Sequence, residues 1–484
     1  MRLTYIFTSL MLVLRCIALV MLAPVFVAIY YNDWKSIIPF VTASLICFVL
    51  SFIFNKKSDS FESLNDIKKS EALCVVTLSW VFFGIAGMIP YLFYGLSPIN
   101  SLFESVSGIT TTGATILTTF DYPKTMFFWR SFSQWMGGMG IIVLFIAILP
   151  QFAVAGRQMF FAEAPGPTED KITPRIRHTA SAVWTIYLVI TLVEIILLKL
   201  AGMPLFDACC NSFSTLAGGG FSPHPMSIMG YHSTTICWIM IFFMFIAGLN
   251  FALLYKVYKN KSLLVLFKDD EFKTYTFIIA IFSIAIALVL YFNDYSHNFI
   301  KSITDSVFQV VTTILTAGFA SVDFALWSLP AKLLLFCLFF CGACAGSTGG
   351  GMKVVRWLFL FKYLKREIAK ILHPNAVYPI KINKATLPPE VIQQILAFIL
   401  FYILIFAISA LIIAILENST IIGVTGSITT LGNIGPGFGP VGPMSNFDVI
   451  HPVSKLICIF NMLIGRLELI PILAMLHPDF WNIK

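Results

Sequence analysis

The sequence predicts an all-α polytopic membrane protein: four repeated units of helix, half-helix and helix around one axis, preceded by two further transmembrane helices. Two observations carry the membrane assignment. The 484 residues are 58% hydrophobic and only 12% charged, and apolar runs of the ~20 residues needed to cross a bilayer recur along the chain. A third, one loop pattern returning about every hundred residues, carries the repeat.

The apolar runs are, in order, Leu3 to Tyr31, Ile37 to Phe54, Leu73 to Leu96, Met126 to Pro150, Ala180 to Ala201 and Thr234 to Tyr255. They continue with Thr276 to Phe292, Ala331 to Phe361 with a glycine interruption, Val391 to Ile415 and Val453 to Leu476. The first extends past Ala23 and Pro24 to Tyr30 and Tyr31 without a clean small-residue cleavage site, so it reads as a retained helix and not a signal peptide. The 10 cysteines lie mostly inside the runs, Cys209 and Cys210 included, without metal-type spacing, and read as small buried side chains. The division that follows is 1–70 for the two leading helices and a loop, then 71–178, 179–272, 273–388 and 389–484 for the four units.

Basic residues gather in alternate loops: Lys56, Lys57, Lys68 and Lys69; Arg157, Lys171, Arg175 and Arg177; Lys256, Lys259, Lys261, Lys268 and Lys273; and Arg356, Lys362, Lys365, Arg366, Lys370, Lys381 and Lys384. The intervening loops carry only Lys35, Lys124 and Lys301. The positive-inside rule then puts both termini and the basic loops in the cytoplasm. The net charge of +8 is explained by topology and a cytoplasmic partner. Basic and aromatic residues are not interleaved outside the membrane as nucleic-acid binding would require.

The four charge-poor outer loops share one form. They read "NSLFESVSGITTTGATIL", "PLFDACCNSFSTLAGGGFSPH", "SITDSVFQVVTTILTAGFASVDF" and "GVTGSITTLGNIGPGFGPVGP". Each opens with a short amphipathic segment and ends in small polar residues around glycine. Aligned on that end, the triplets are Thr111-Thr112-Gly113, Ala217-Gly218-Gly219, Thr316-Ala317-Gly318 and Asn433-Ile434-Gly435. Irregular backbone at membrane depth survives only where protein buries it or a water-filled cavity solvates it. A short helix entering from outside aims its C-terminus, with roughly half a negative charge, at the membrane centre, where it favours a cation. Rings of backbone carbonyls can then replace a cation's hydration shell. The ligands expected are backbone oxygens, which lets the side chains differ between units.

"GSTGGGMK", Gly346 to Lys353, falls halfway along the second helix of the third unit. The helix should break there: each of Gly346, Gly349, Gly350 and Gly351 lowers helix propensity by about 1 kcal/mol relative to alanine. Ser347 and Thr348 can bond the backbone groups that the break frees. A phosphate-binding loop is disfavoured, because the spacing and a preceding strand are both lacking. Gly137, Gly138 and Gly140 read as helix-packing positions.

Arg466 stands near the middle of the last apolar run, where insertion costs about 2.5 to 3.5 kcal/mol. Facing a pore, a guanidinium about 6 Å from an ion would repel it by roughly 3 kcal/mol at an effective dielectric near 20. The alternative is a structural ion pair or a carbonyl clamp between helices. Glu468, two positions on, points to another helix face and is a poor partner for it. Glu104, Asp207 and Asp305 are read as caps of the half-helices more than as attractors of ions. His224 is read as a loop histidine and not a metal ligand. No nucleophile, base and orienting-group set, paired catalytic carboxylates or HExxH pattern is present, so an enzyme is not expected.

On "SGITTTGAT", "LGNIGPGFGPVGP", "GSTGGGMK" and "GRLE", the whole chain resembles the Trk/Ktr/HKT potassium transporter superfamily, and most of all its bacterial TrkH-type subunits. The resemblance implies four repeats of helix, pore loop and helix around one pore. It implies potassium passing a filter of backbone carbonyls with one glycine from each unit: Gly113, Gly219, Gly318 and Gly435. It implies that the glycine segment is an intramembrane loop obstructing the pore, with Arg466 projecting into it, the two forming a gate. Gly218 and Ala317 depart from the threonine common at those places, which puts the preference for potassium over sodium or rubidium in question.

The resemblance further implies a multi-pass protein of the bacterial inner membrane, a homodimer in the lipid bilayer, binding no nucleotide itself. A separate TrkA-like cytosolic subunit binding NAD(H) or ATP/ADP would bias the gate, and whether conduction is channel-like or by symport stays open. The alternatives are a sodium-permeable or weakly selective transporter of the same fold, or a non-conducting membrane scaffold.

Overall fold

The computed structural model describes residues 3–55, 69–143, 172–293 and 298–481. Lys56, Lys57, Lys68, Arg157 and Lys171 of the basic loops, and the end of the run expected to reach Pro150, lie outside the described residues. The leading pair comprises Leu3–Val20 with Ala23–Tyr30, parted by a turn just ahead of Pro24, and Ile37–Asn55. Four units follow, as the sequence predicts. Their first helices are Lys69–Phe93, Ile172–Leu200, Asp270–Phe292 and Pro389–Glu417. Their half-helices are Pro98–Ile109, Leu205–Ala217, Phe299–Ile314 and Thr420–Leu431.

The bilayer acts as a solvent on the outside of this assembly. Pro389–Glu417 buries Ile395, Phe398, Tyr402 and Ile413 inward while leaving Leu400, Ile403, Leu404 and Leu411 exposed. Such an apolar outer face is stable only against lipid. The half-helices are the reverse, polar yet enclosed. Ser101, Glu104, Ser105 and Ser107 of the first are all buried. Their hydroxyls tie them to the surrounding helices: Ser105 donates to the Gly84 carbonyl at 2.7 Å, and Ser306 to that of Ser283 at 2.6 Å.

Caps at the outer ends differ from the expectation. Ser97, Asn298 and Ser419 accept the free N–H groups of the first, third and fourth half-helices. Glu104 and Asp305 sit mid-helix and are not caps. Asp207 is in the first turn of the second half-helix, where it accepts the Tyr231 hydroxyl at 3.0 Å. Glu104, fully buried, accepts Arg130 Nε at 2.7 Å and the Ile116 N–H at 3.0 Å. Arg130 also lies 4.0 Å from the Phe221 ring centroid, so this pair joins the first two units beside the loops.

The second helices vary most between units, and of their breaks the one in the third unit was expected. Lys124–Val143 is unbroken as far as it is described. Thr234–Ala247 and Phe251–Asn260 meet at 93°, where one run to Tyr255 was expected. Gly248 ends the first piece and Asn250 caps the second, accepting the Ala252 and Leu253 N–H groups at 2.9 and 3.2 Å. The third unit breaks between Leu329–Leu338 and Val354–Leu372, over the predicted glycine segment. In the fourth, Pro452–Arg466 stops at Arg466; Glu468 and Leu469 take positive φ of 56° and 60° before Ile470–Leu476 begins. The all-α expectation needs one addition among the described residues, an antiparallel hairpin pairing Lys381–Ile382 with Ala385–Thr386.

Arg130→Ala strands a buried carboxylate and is expected to cost about 3–5 kcal/mol of stability, seen as an earlier thermal unfolding midpoint in detergent. Glu104→Gln combined with Arg130→Met should lose less than the single change, because no buried charge is left alone.

Candidate functional site

All four half-helices end in the same motif, and the motif fixes the register of the loops. In each, one N–H bonds five residues back: Thr112 to Ser107, Gly219 to Ser214, Ala317 to Thr312 and Ile434 to Thr429, at 2.8 to 2.9 Å. The preceding N–H bonds three residues back: Thr111 to Gly108, Gly218 to Thr215, Thr316 to Thr313 and Asn433 to Thr430. This is the Schellman ending, which requires a left-handed residue just past the helix. Thr111, Gly218, Thr316 and Asn433 supply it, at φ of 53°, 67°, 62° and 54°.

The second triplet is therefore Gly218-Gly219-Gly220, one residue later than the sequence alignment had it. Ala217 takes the place of Thr110, Leu315 and Gly432. The glycine of that unit equivalent to Gly113, Gly318 and Gly435 is Gly220, with φ of 74° against 77°, 77° and 98°. Run-on glycines at 218–220 hid this register, and only the alternation of backbone conformation resolves it. Gly218 stands in line with Thr111 and Thr316, at the left-handed position that glycine fits best.

These glycines close a ring. A Cβ on Gly113 would collide with the carbonyl oxygen of Gly219, one on Gly220 with that of Ala317, one on Gly318 with that of Ile434, and one on Gly435 with that of Thr112. Each unit's glycine thus faces the middle carbonyl of the next, from first to fourth and back to the first. A cavity against the ring is lined by residues of all four units, Gly113, Gly220, Gly318 and Pro436 among them. Side chains brace the ring from behind. Gln134 donates to the Gly219 carbonyl at 2.6 Å and accepts the Phe221 N–H at 3.1 Å. Asn433 donates to Thr112 Oγ1 at 2.9 Å and to the Met462 carbonyl at 3.0 Å.

Directly beneath lies the glycine segment, touching the second, third and fourth units and joined to the first through Arg466. A Cβ on Gly349 would stand 2.7 Å from the Leu315 carbonyl oxygen, and one on Gly350 2.7 Å from that of Gly432. The Gly350 N–H donates to Thr316 Oγ1 at 2.6 Å. A Cβ on Gly218 would be 3.7 Å from the Gly349 Cα, which brings in the second unit. Arg466 completes the set, donating to the Thr348 carbonyl at 2.7 Å and to that of Gly137, in the first unit, at 3.2 Å. The segment is thus held directly by the second, third and fourth units and tied to the first through Arg466.

The break is internally satisfied. Ser347 donates to the Cys344 carbonyl at 2.5 Å and Thr348 Oγ1 to that of Ala247 at 3.3 Å. The break of the second unit bonds to that of the third: Cys344 N–H to the Gly248 carbonyl at 3.0 Å, and Phe251 N–H to the Gly346 carbonyl at 3.1 Å. Gly346 and Gly351 take φ of 72° and 64°, which a side chain would strain.

Arg466 is 1% exposed and bonded to carbonyls. The carbonyl clamp weighed in the sequence is therefore present. Glu468 pairs instead with Arg356 at 2.6 Å, consistent with its other face. Sequence reasoning passed over Lys353, buried, whose Nζ donates to the Gly349 carbonyl, and Glu271, which holds both ends of the break. Their signal was a charge directly flanking an apolar run. Gly137 and Gly138 serve packing as expected: a Cβ would strike the Ile109 carbonyl and the Ala217 Cα respectively, while Gly140 has ordinary room beside Trp80. His224 accepts the Met226 N–H within its own loop at 3.1 Å.

Known proteins share this architecture along the whole chain. The family model described as TrkH, cation transport protein, matches residues 37–480. The chain is 41% identical over 422 residues to the Trk system potassium uptake protein TrkH of Salmonella typhimurium, spanning 86% of this chain and 87% of that protein. It is 38% identical over 482 residues to the protein of that name from Vibrio parahaemolyticus, spanning 97% and 98%. The crystal structure of the potassium transporter TrkH from Vibrio parahaemolyticus superposes with a TM-score of 0.91 at 35% identity, over 99% of this chain and 100% of that one. With the ring, the broken helices and this likeness in place, the chain belongs to the TrkH family of cation transport proteins, which are transporters and not enzymes.

Proposed function

We propose that this chain moves potassium ions across the bacterial inner membrane, through carbonyls of residues 111–113, 218–220, 316–318 and 433–435, with Gly346 to Gly351 and Arg466 as the gate. The observation that carries it is the closed ring, in which each glycine admits the carbonyl of the next unit. Carbonyl rings substitute for an ion's hydration shell, and the half-helix C-termini add a negative field at the same point. Potassium as the ion rests on the relatives, which are named potassium uptake proteins.

The gating part is supported by the segment beneath the ring being bonded to three units, with Arg466 linking it to Gly137 of the first. A guanidinium on the axis adds about 3 kcal/mol of repulsion at 6 Å and an effective dielectric near 20. Arg466 then acts in two ways at once, as the charge that repels the ion and as the clamp that keeps Thr348 in its path.

A sodium-permeable or weakly selective transporter was motivated by Gly218 and Ala317. The ring register weakens that motive, since Gly218 occupies the left-handed turn and Ala317 contributes a carbonyl whatever its side chain. The scaffold reading leaves four glycines packed against carbonyls without a purpose.

Regulation by a TrkA-like cytosolic subunit binding NAD(H) or ATP/ADP belongs to the same proposal, as does a homodimer with one pore in each chain. The docking charges would be Lys365, Lys370, Lys381 and Lys384, which are exposed; Arg356 is engaged with Glu468. Co-purification with the cognate regulator should survive physiological salt in the wild type and fail when these four lysines become glutamate. Loss of neither would remove the docking surface.

Two measurements test the transport path. Rubidium-86 uptake into proteoliposomes should be suppressed by potassium and not by sodium, and should run faster in Arg466→Ala; equal rates would remove the arginine barrier. Gly220→Ala combines a positive φ with a carbonyl collision and should abolish uptake or its selectivity. Gly219→Ala should be milder, since its Cβ meets only the movable Gln134 side chain. The opposite order would restore the earlier register.

A further inference from the structure

Three consecutive acids, Asp269, Asp270 and Glu271, open the first helix of the third unit, and each grips a different element. Glu271, 7% exposed, accepts two backbone N–H groups on one oxygen, that of Ala345 at 2.7 Å and that of Val355 at 3.2 Å. Those residues stand on either side of the glycine segment. One carboxylate therefore fixes how far apart the ends of the break lie, and so how far the loop between them extends.

Its two neighbours reach outward. Asp270 accepts Lys362 Nζ at 3.2 Å and the Asn383 N–H at 3.1 Å, and donates its own N–H to Asn383 Oδ1 at 2.8 Å. Asp269 accepts Asn383 Nδ2 at 2.8 Å while capping its helix through the Phe272 N–H at 2.9 Å. Asn383 is the turn residue of the hairpin, with φ of 47° followed by 66° at Lys384. Lys362, on the helix leaving the glycine segment, also donates to the Lys381 carbonyl of the hairpin at 2.7 Å. Hairpin, helix start and loop ends form one connected hydrogen-bond network.

We propose that Glu271 is a positioning residue that holds the intramembrane loop across the axis, and that the 381–386 hairpin, latched through Asp269 and Asp270, is the outer end of this clasp. Displacing the hairpin loosens the three acids and lets the two ends of the break move apart. The proposal rests on the loop being the gate, but its central claim, that the clasp sets the position of the loop, stands or falls without transport.

The test uses the full chain in proteoliposomes with two readouts. Asn383→Gly keeps the turn and removes the side-chain latch, far from the ring. Glu271→Met keeps the length of the side chain but removes the oxygen that accepts both N–H groups. Cys344, 2% exposed at the edge of the loop, reports loop position through its labelling rate by a water-soluble maleimide, located by peptide mass spectrometry. Both variants should label at least about fivefold faster, the shift that one lost hydrogen bond produces, and should take up rubidium-86 faster with potassium-over-sodium competition unchanged. Labelling at the wild-type rate in both variants would overturn the clasp. Faster labelling with unchanged uptake would uphold the clasp and count against the loop as gate.

Discussion

Everything in this fold follows from having irregular backbone at membrane depth, where a free N–H or C=O costs several kcal/mol. Four half-helices end there, and the shared Schellman ending satisfies the last carbonyls locally, with two backbone bonds at each end. That ending leaves the next residue left-handed and turns the following carbonyls away from their own helix. The ring is then the consequence of four such endings meeting, and glycine is required where one unit's Cα abuts its neighbour's carbonyl.

The same constraint explains why the breaks occur together. A break in one helix frees backbone groups, and a break in an adjacent helix can satisfy them. Gly248 and Phe251 of the second unit bond to Cys344 and Gly346 of the third, and Arg466, where the fourth unit's helix stops, bonds to Thr348. Two buried cations, Lys353 and Arg466, lie among carbonyls just below four negative helix ends. Opposite charges so close together hold the loop in place, and on the proposed function a cation arriving from the ring would compete for the same carbonyls.

Much of this was legible in the sequence, because periodic apolar runs, a repeat about every hundred residues and contiguous glycines are strong local signals. The four half-helices and the broken third-unit helix follow from them. What was not legible depends on tertiary partners. The bend at Gly248 to Asn250 looks from sequence like a tolerated glycine, since nothing local says that the neighbouring helix is broken beside it. Glu104 near a helix start reads as a cap until Arg130, 26 residues on, is seen beside it. Glu271 reads as a surface acid at a membrane edge, whereas burial against two N–H groups makes it structural.

The second unit shows why the side chains of the loops are poor guides to their register. "AGGG" offers overlapping frames, and choosing among them by residue type favoured the one that resembled its neighbours least badly. Backbone conformation decides, because the ending demands left-handed φ at the first position of each triplet and φ is positive again at the third. Threonine and asparagine accept the first at a modest cost where a side-chain bond compensates, as with Asn433 to Thr112 and Thr316 to Gly350. Gly218 needs no such bond, and Gln134 braces that loop from outside instead. The units have therefore diverged in how each turn is stabilised while keeping the carbonyl that each presents to the next. A ring made of backbone tolerates that divergence, and one made of side-chain ligands would not.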